Sequence, residues 1–153
     1  MTGGAGCFTT TRASGGRVWQ ARRHAERLVR DARLLGLGEL DLASCLRELD
    51  ALAAVTRDGA RTIVRLEVRR DDGGSLRLVG SQRAWSDDPP CWRAATSALV
   101  HPGATPTSRA KSTERALYAA ALEAARAVGA DEALLFDAAG CLVEGARTNL
   151  VVA

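Results

Sequence analysis

Between Ala21 and Leu35 the apolar residues Ala25, Leu28, Val29, Ala32 and Leu35 recur at helical spacing while charged residues fill the opposite face. This stretch reads as an amphipathic helix, ended by Gly36 and Gly38. Ahead of it, Cys7 to Ala13 (C-F-T-T-T-R-A) is rich in β-formers, Ser14-Gly15-Gly16 supplies a turn, and Arg17 to Gln20 makes a short return strand. A second helix is expected from about Leu42 to Val55. Arg61 to Arg69 alternates as R-T-I-V-R-L-E-V-R and, across the turn Asp71-Asp72-Gly73-Gly74, meets Ser75 to Val79 in a second hairpin.

Ser86-Asp87-Asp88-Pro89-Pro90 breaks the pattern and reads as a linker. Beyond it the expected order is a strand over Trp92 to Val100, a loop H-P-G-A-T-P-T-S, and a helix from Thr113 to Val128 closed by Gly129. Ala133 to Asp137 then makes a buried strand, Ala138-Ala139-Gly140 a turn, Cys141 to Glu144 the partner strand, and Asn149 to Val152 the start of another. The fold class is α+β, with a small lobe over 1–86, a linker over 87–92 and a second lobe over 93–153. No internal repeat is evident.

Composition narrows the classes without naming a function. With 46% hydrophobic and 25% charged residues in 153, the chain suits a globular domain or two small lobes. No apolar run approaches the ~20 residues that cross a bilayer, and Met1-Thr2-Gly3-Gly4 lacks the features of a signal peptide, so a cytoplasmic protein without a membrane partner is expected. Cys7, Cys45, Cys91 and Cys141 lie far apart with only His24 and His101 to assist, which indicates no metal site and no disulfide framework. They are expected to be reduced and mostly buried. The net charge of +3 comes from arginines interleaved with Asp and Glu. That pattern argues against a nucleic-acid partner, although an arginine-rich module using Trp19, Trp85 or Trp92 is the alternative class of function.

One lysine, Lys111, stands against twenty arginines. Either it is a solvated surface cation, or it is retained because only a primary amine can attack a carbonyl to form a Schiff base. Taken by itself Glu144 reads as a surface strand-end carboxylate, with a functional role as the alternative, and Arg27 either pairs with Asp31 one turn away or binds an anion. Phe8 and Thr10 share one side of their strand, as residues of any half-buried strand do.

The run from Ala130 to Leu150, A-D-E-A-L-L-F-D-A-A-G-C-L-V-E-G-A-R-T-N-L, resembles the signature of class IV, fold-type IV pyridoxal-phosphate enzymes. These comprise branched-chain and D-amino-acid aminotransferases and aminodeoxychorismate lyases. Gly6-Cys7-Phe8-Thr9-Thr10 and His24-Ala25-Glu26-Arg27-Leu28 resemble two further elements of that family in the right order, with Lys111 where the family places its cofactor lysine.

The resemblance implies pyridoxal 5'-phosphate as cofactor, a small amine or amino acid as substrate, and a homodimer. It implies that Lys111 forms the internal aldimine and shuttles the proton at the substrate Cα. Glu144 is implied to face the pyridine nitrogen, Arg27 to bind the phosphate, Asn149 to contact the ring, and Phe8 and Thr10 to line the substrate pocket. The second lobe would be the first part of a larger mixed α/β cofactor-binding lobe. Lys111-Ser112-Thr113-Glu114-Arg115 lacks the tyrosine usual in branched-chain aminotransferases, and K-x-x-x-R with G-C-F-T-T is more like the aminodeoxychorismate lyase branch, which makes the folate precursor 4-aminobenzoate. Glu114, however, stands where an asparagine is commoner in that branch. The family continues well beyond its glutamate, so the resemblance also implies a truncated chain that binds cofactor poorly.

Overall fold

A computed structural model describes residues 6–55, 60–71, 73–105 and 108–150. By internal contacts the chain forms two compact units: Met1–Ser86 with Arg109–Glu114, and Asp87–Ser108 with Arg115–Ala153.

The first unit is a four-stranded antiparallel sheet with two helices on one face. Its strands are β1 (Cys7–Ser14), β2 (Arg17–Val18), β3 (Arg61–Arg70) and β4 (Leu76–Ala84), in the order β2-β1-β3-β4. Helices α1 (Ala21–Leu34) and α2 (Leu42–Ala54) lie between β2 and β3 in sequence. Alternation decides which face is covered. Cys7, Thr9, Thr11 and Ala13 of β1, with Val64, Leu66 and Val68 of β3, turn inward and pack with Ala25, Leu28, Ala32, Cys45 and Leu49 of the helices. Each fully buried leucine or valine here is worth roughly 1.5–3 kcal/mol over an exposed one. Asp41 caps α2 by accepting hydrogen bonds from the backbone N–H groups of Ala43 and Ser44.

Several expectations shift. The strand expected to stop at Val79 runs on to Ala84, because Gly80 is an opening in the sheet rather than a break. A Cβ there would lie 2.7 Å from the methyls of Leu52 on α2, so the missing side chain lets helix and sheet close together. The helix expected from Thr113 starts at Ala116, since the backbone of Thr113 is already paired with Gly6. Segment 109–114, read with the second lobe in the sequence, groups with the first unit. Of the cysteines, Cys7 and Cys45 are buried and Cys91 and Cys141 exposed. Burial pushes the Cys7 thiol up to about 12 and the Cys45 thiol up to about 11, so neither forms thiolate at neutral pH.

The second unit is a three-stranded sheet, β5-β6-β7, with β5 (Ala94–Val100) parallel to β6 (Glu132–Phe136) and β7 (Leu142–Gly145) antiparallel to it. Helix α3 (Ala116–Ala127) lies in the connection that a parallel pair requires. Its core is small: Ala121, Ala125, Ala130, Ala133, Leu135 and Ala146. Asn149 and Leu150 lie outside any strand, which corrects the strand expected there; Val151 and Val152 are outside the described residues. Among the described residues no helix is long and apolar enough to cross a membrane, and no cluster of His, Cys, Asp or Glu could hold a metal ion.

Candidate active site

The residues singled out in the sequence divide between the units: Phe8, Thr10, Arg27 and Lys111 fall in the first, Glu144 and Asn149 in the second.

In the first unit, β2 pairs only with Ala13 and Ser14, leaving the other end of β1 open on that side. The segment carrying Lys111 fills the gap. Phe8 N–H donates to the Lys111 carbonyl at 2.9 Å, Thr113 N–H to the Gly6 carbonyl at 2.8 Å, and Gly6 N–H to Thr113 Oγ1 at 2.9 Å. Gly6 must be glycine, since a Cβ there would stand 2.5 Å from the Val68 carbonyl oxygen. The Lys111 N–H donates at 2.9 Å to Asp31 Oδ2, a carboxylate with no exposed surface. Both backbone groups of Lys111 are therefore tied to the sheet and to α1, while the side chain is half-buried with Nζ 5.1 Å from the Phe8 ring centre.

Asp31 also accepts from Arg30 at 2.8 Å and from Arg27 Nε at 3.4 Å. The sequence-level alternative for Arg27, pairing one turn along the helix, is thus present, and it engages Nε alone. His24 on the same helix shares a 2.7 Å hydrogen bond with Thr9 Oγ1. Burial first, then the positive charges of Arg27 and Lys111, hold its imidazole below the usual histidine range. The positive charges of Arg27 and Lys111 near His24 make a neighbourhood suited to an anion. On the sheet face opposite the helices, Arg65 lies 3.5 Å from the Phe8 ring centre and, with Arg69, brackets the buried Glu67. Burial alone would raise the Glu67 carboxyl, but hydrogen bonds from the two guanidiniums outweigh it and hold the group below the usual carboxylate range. Thr10 lines a cavity of about 220 Å³ with Arg65 and Ser81. A larger cavity of about 470 Å³ lies by Arg12, Trp19 and Trp85, away from every predicted site residue. The tryptophans of the alternative, arginine-rich module already hold guanidiniums of this chain, Arg12 over Trp19 and Trp85 and Arg147 over Trp92.

In the second unit, Glu144 on β7 and Asn149 line one cavity of about 380 Å³ with His101, Gly103 and Ser108. Tyr118 Oη donates to Glu144 Oε1 at 2.7 Å, and His101 Nε2 lies 3.0 Å from Tyr118 Oη and 3.3 Å from Glu144 Oε1. Burial, followed by the bond to Glu144, pushes the Tyr118 phenol up to about 12, so it remains a donor at neutral pH. The loop leading to Asn149 is shaped by the buried Glu132, which accepts from the N–H groups of Arg147 and Thr148 at 3.1 and 2.9 Å. Gly145 permits that turn, because a Cβ would stand 2.6 Å from Thr148 Oγ1.

The sequence offered Asp31 only as a partner for Arg27, and gave no place at the site to Glu132, His101 or Tyr118. A signal existed for Asp31, which sits at helical spacing from His24 and Leu28 on the inward side of α1; for Tyr118 there was only its being the sole tyrosine.

The profile of the family described as amino-transferase class IV matches residues 6–153. No curated protein matches the chain. Among solved structures it is similar to a candidate 4-amino-4-deoxychorismate lyase, at TM-score 0.79 and 34% identity over 95% of this chain and 59% of that one. A hypothetical aminotransferase from Mycobacterium tuberculosis in its PLP-bound form aligns at TM-score 0.76 and 24% identity, over 94% of this chain and 56% of that one. A branched-chain aminotransferase from Thermoproteus uzoniensis, with norvaline, aligns at 0.75 and 23%, over 92% and 53%. The chain thus spans little more than half the length of these proteins.

Proposed function

This chain belongs to the class IV amino-transferase family, and on that premise we propose that it takes pyridoxal phosphate and acts on a small amino acid or amine. The observation carrying the reading is the placement of Lys111, the only lysine, with its N–H on the buried Asp31 and its carbonyl on β1. Those two backbone bonds fix where the amine-bearing side chain leaves the chain, beside Phe8.

The residues suit the group. A primary amine can hold an aldehyde, a guanidinium with its terminal nitrogens free of Asp31 can hold a phosphate, and a carboxylate in a cavity can face a pyridinium. Bound pyridoxal phosphate supplies an electron sink that stabilises negative charge at the substrate Cα. Lys111 would hold the cofactor through Nζ and, once released, take and return the Cα proton. Arg27 would bind the phosphate, Glu144 would accept a hydrogen bond from the ring nitrogen, and Asn149 would contact the ring. Phe8 and Thr10 would border the substrate.

The 34% identical neighbour, with G-C-F-T-T and K-x-x-x-R, supports aminodeoxychorismate lyase chemistry, which releases pyruvate and 4-aminobenzoate. Glu114 keeps transamination as the second reading, because Cα deprotonation is common to both. A homodimer working on a folate precursor in the cytoplasm belongs to the same proposal.

The test is to incubate the chain with pyridoxal phosphate, reduce with borohydride and map the modified residue by mass spectrometry. The adduct is expected on Lys111 and absent from Lys111→Ala, with the terminal amine as the only competing primary amine. Absence of a Lys111 adduct overturns the proposal. Pyruvate with 4-aminobenzoate, as against a keto acid formed from an amino donor, separates lyase from transaminase.

A further inference from the structure

Three side chains from separated stretches of the second unit meet at one carboxylate oxygen: His101 after β5, Tyr118 in α3 and Glu144 on β7. A backbone amide sets the direction of every hydrogen bond among them. Gly103 N–H donates to His101 Nδ1 at 3.0 Å, so Nδ1 is an acceptor and the neutral ring carries its proton on Nε2. That Nε2–H faces Tyr118 Oη and Glu144 Oε1, and Tyr118 spends its own proton on Oε1. Both donors fall on Oε1, and among the described residues Oε2 is left for another partner.

We propose that Tyr118 and His101 are positioning residues, holding Glu144 by Oε1 so that Oε2 is presented to the ring nitrogen of the bound cofactor; this rests on the functional reading above. Glu144 needs such support. Its side chain is 37% exposed and its strand is only four residues long, with an irregular register against β6 beside it. A half-exposed glutamate otherwise samples several rotamers. The supports are themselves held: His101 is 4% exposed, and Tyr118 lies under the Arg115 guanidinium, 4.0 Å from its ring centre. Arg115 also donates to the Ala146 carbonyl, just beyond Glu144 on the chain. The clamp thus ties α3 to the end of β7.

The test uses the full chain and Tyr118→Phe, which keeps the ring and removes only the hydroxyl. Three quantities are read: the yield of reduced Lys111 adduct, the Kd for pyridoxal phosphate, and the ring-nitrogen NMR shift of 15N-labelled pyridoxal phosphate. The expected result is an adduct still on Lys111, affinity weaker by about tenfold, and a ring-nitrogen signal moved toward the unprotonated position. His101→Gln, with one donor retained, should move both readings in the same direction by less. A purely structural role would lower Tm and leave the ring-nitrogen shift in place. Unchanged affinity and shift in Tyr118→Phe, with the Lys111 adduct intact, overturns the positioning role while sparing the functional reading. No adduct in the parent chain overturns both. In the ligand-free protein, a 15N spectrum placing the His101 proton on Nδ1 overturns the hydrogen-bond order itself.

Discussion

Asp31 is the residue whose loss should reach furthest. It is fully buried, yet its partners Arg27 and Arg30 are half-exposed, so removing it strands one backbone N–H rather than two buried charges. Asp31→Ala should therefore cost about 1–3 kcal/mol in urea unfolding, below the cost of breaking a fully buried ion pair, and should free the Lys111 backbone. Unfolding within error of the parent would contradict this. His24 gives a pH signature with a definite sign. Its folded pKa lies below the ordinary histidine value of 6.5, so its contribution to stability is complete above that value and declines as pH falls through the folded pKa. Proton NMR should show His24 titrating below 6.5, and Arg27→Gln should bring it closer to that value by removing one nearby charge. The functional residues proposed from sequence share one property: each belongs to a local run with a recognisable order. Asp31 and Tyr118 do not, because the contacts that bring them to the site residues Lys111 and Glu144 span 80 and 26 residues. Nothing short-range along the chain announces such contacts.

At the scale of elements, helices and hairpins were legible wherever a single periodicity decided burial, as in α1, α2 and β3. They were misread where a neighbour from elsewhere intervened: Gly80 under Leu52, and Thr113 captured by Gly6. The two glycines should respond differently to an added methyl. At Gly6 the obstacle is the Val68 carbonyl of the backbone, at Gly80 the end of a leucine side chain. Gly6→Ala should cost roughly 1–3 kcal/mol, and Gly80→Ala measurably less because Leu52 can change rotamer. Chemical denaturation of both variants side by side checks the order; equal costs would refute it.

Across the whole molecule, the large buried side chains are unequally shared. Leu28, Leu49, Leu66, Val64 and Val68 belong to the first unit, while the second buries Leu135 among alanines. Less apolar surface removed from water means less to resist opening. Native-state hydrogen exchange should find the β5–β7 amides exchanging well before those of β3, and equal protection would rule this out. Leu49→Ala should cost about 2–5 kcal/mol by the same measure. The pairing of β1 with residues 111–113 has a further consequence, in the order of events during folding. Apart from segment 109–114 the first unit falls within Met1–Ser86, and the strand end near Gly6 and Phe8 pairs with a strap 107 positions further along. Closing so long a loop is slow relative to local hairpins and carries an entropy cost that rises only with the logarithm of its length. Until it closes, the newborn chain displays an unpaired strand end open to any other extended peptide. The lysine on which the proposed chemistry depends is thus placed by the same late event that seals the sheet.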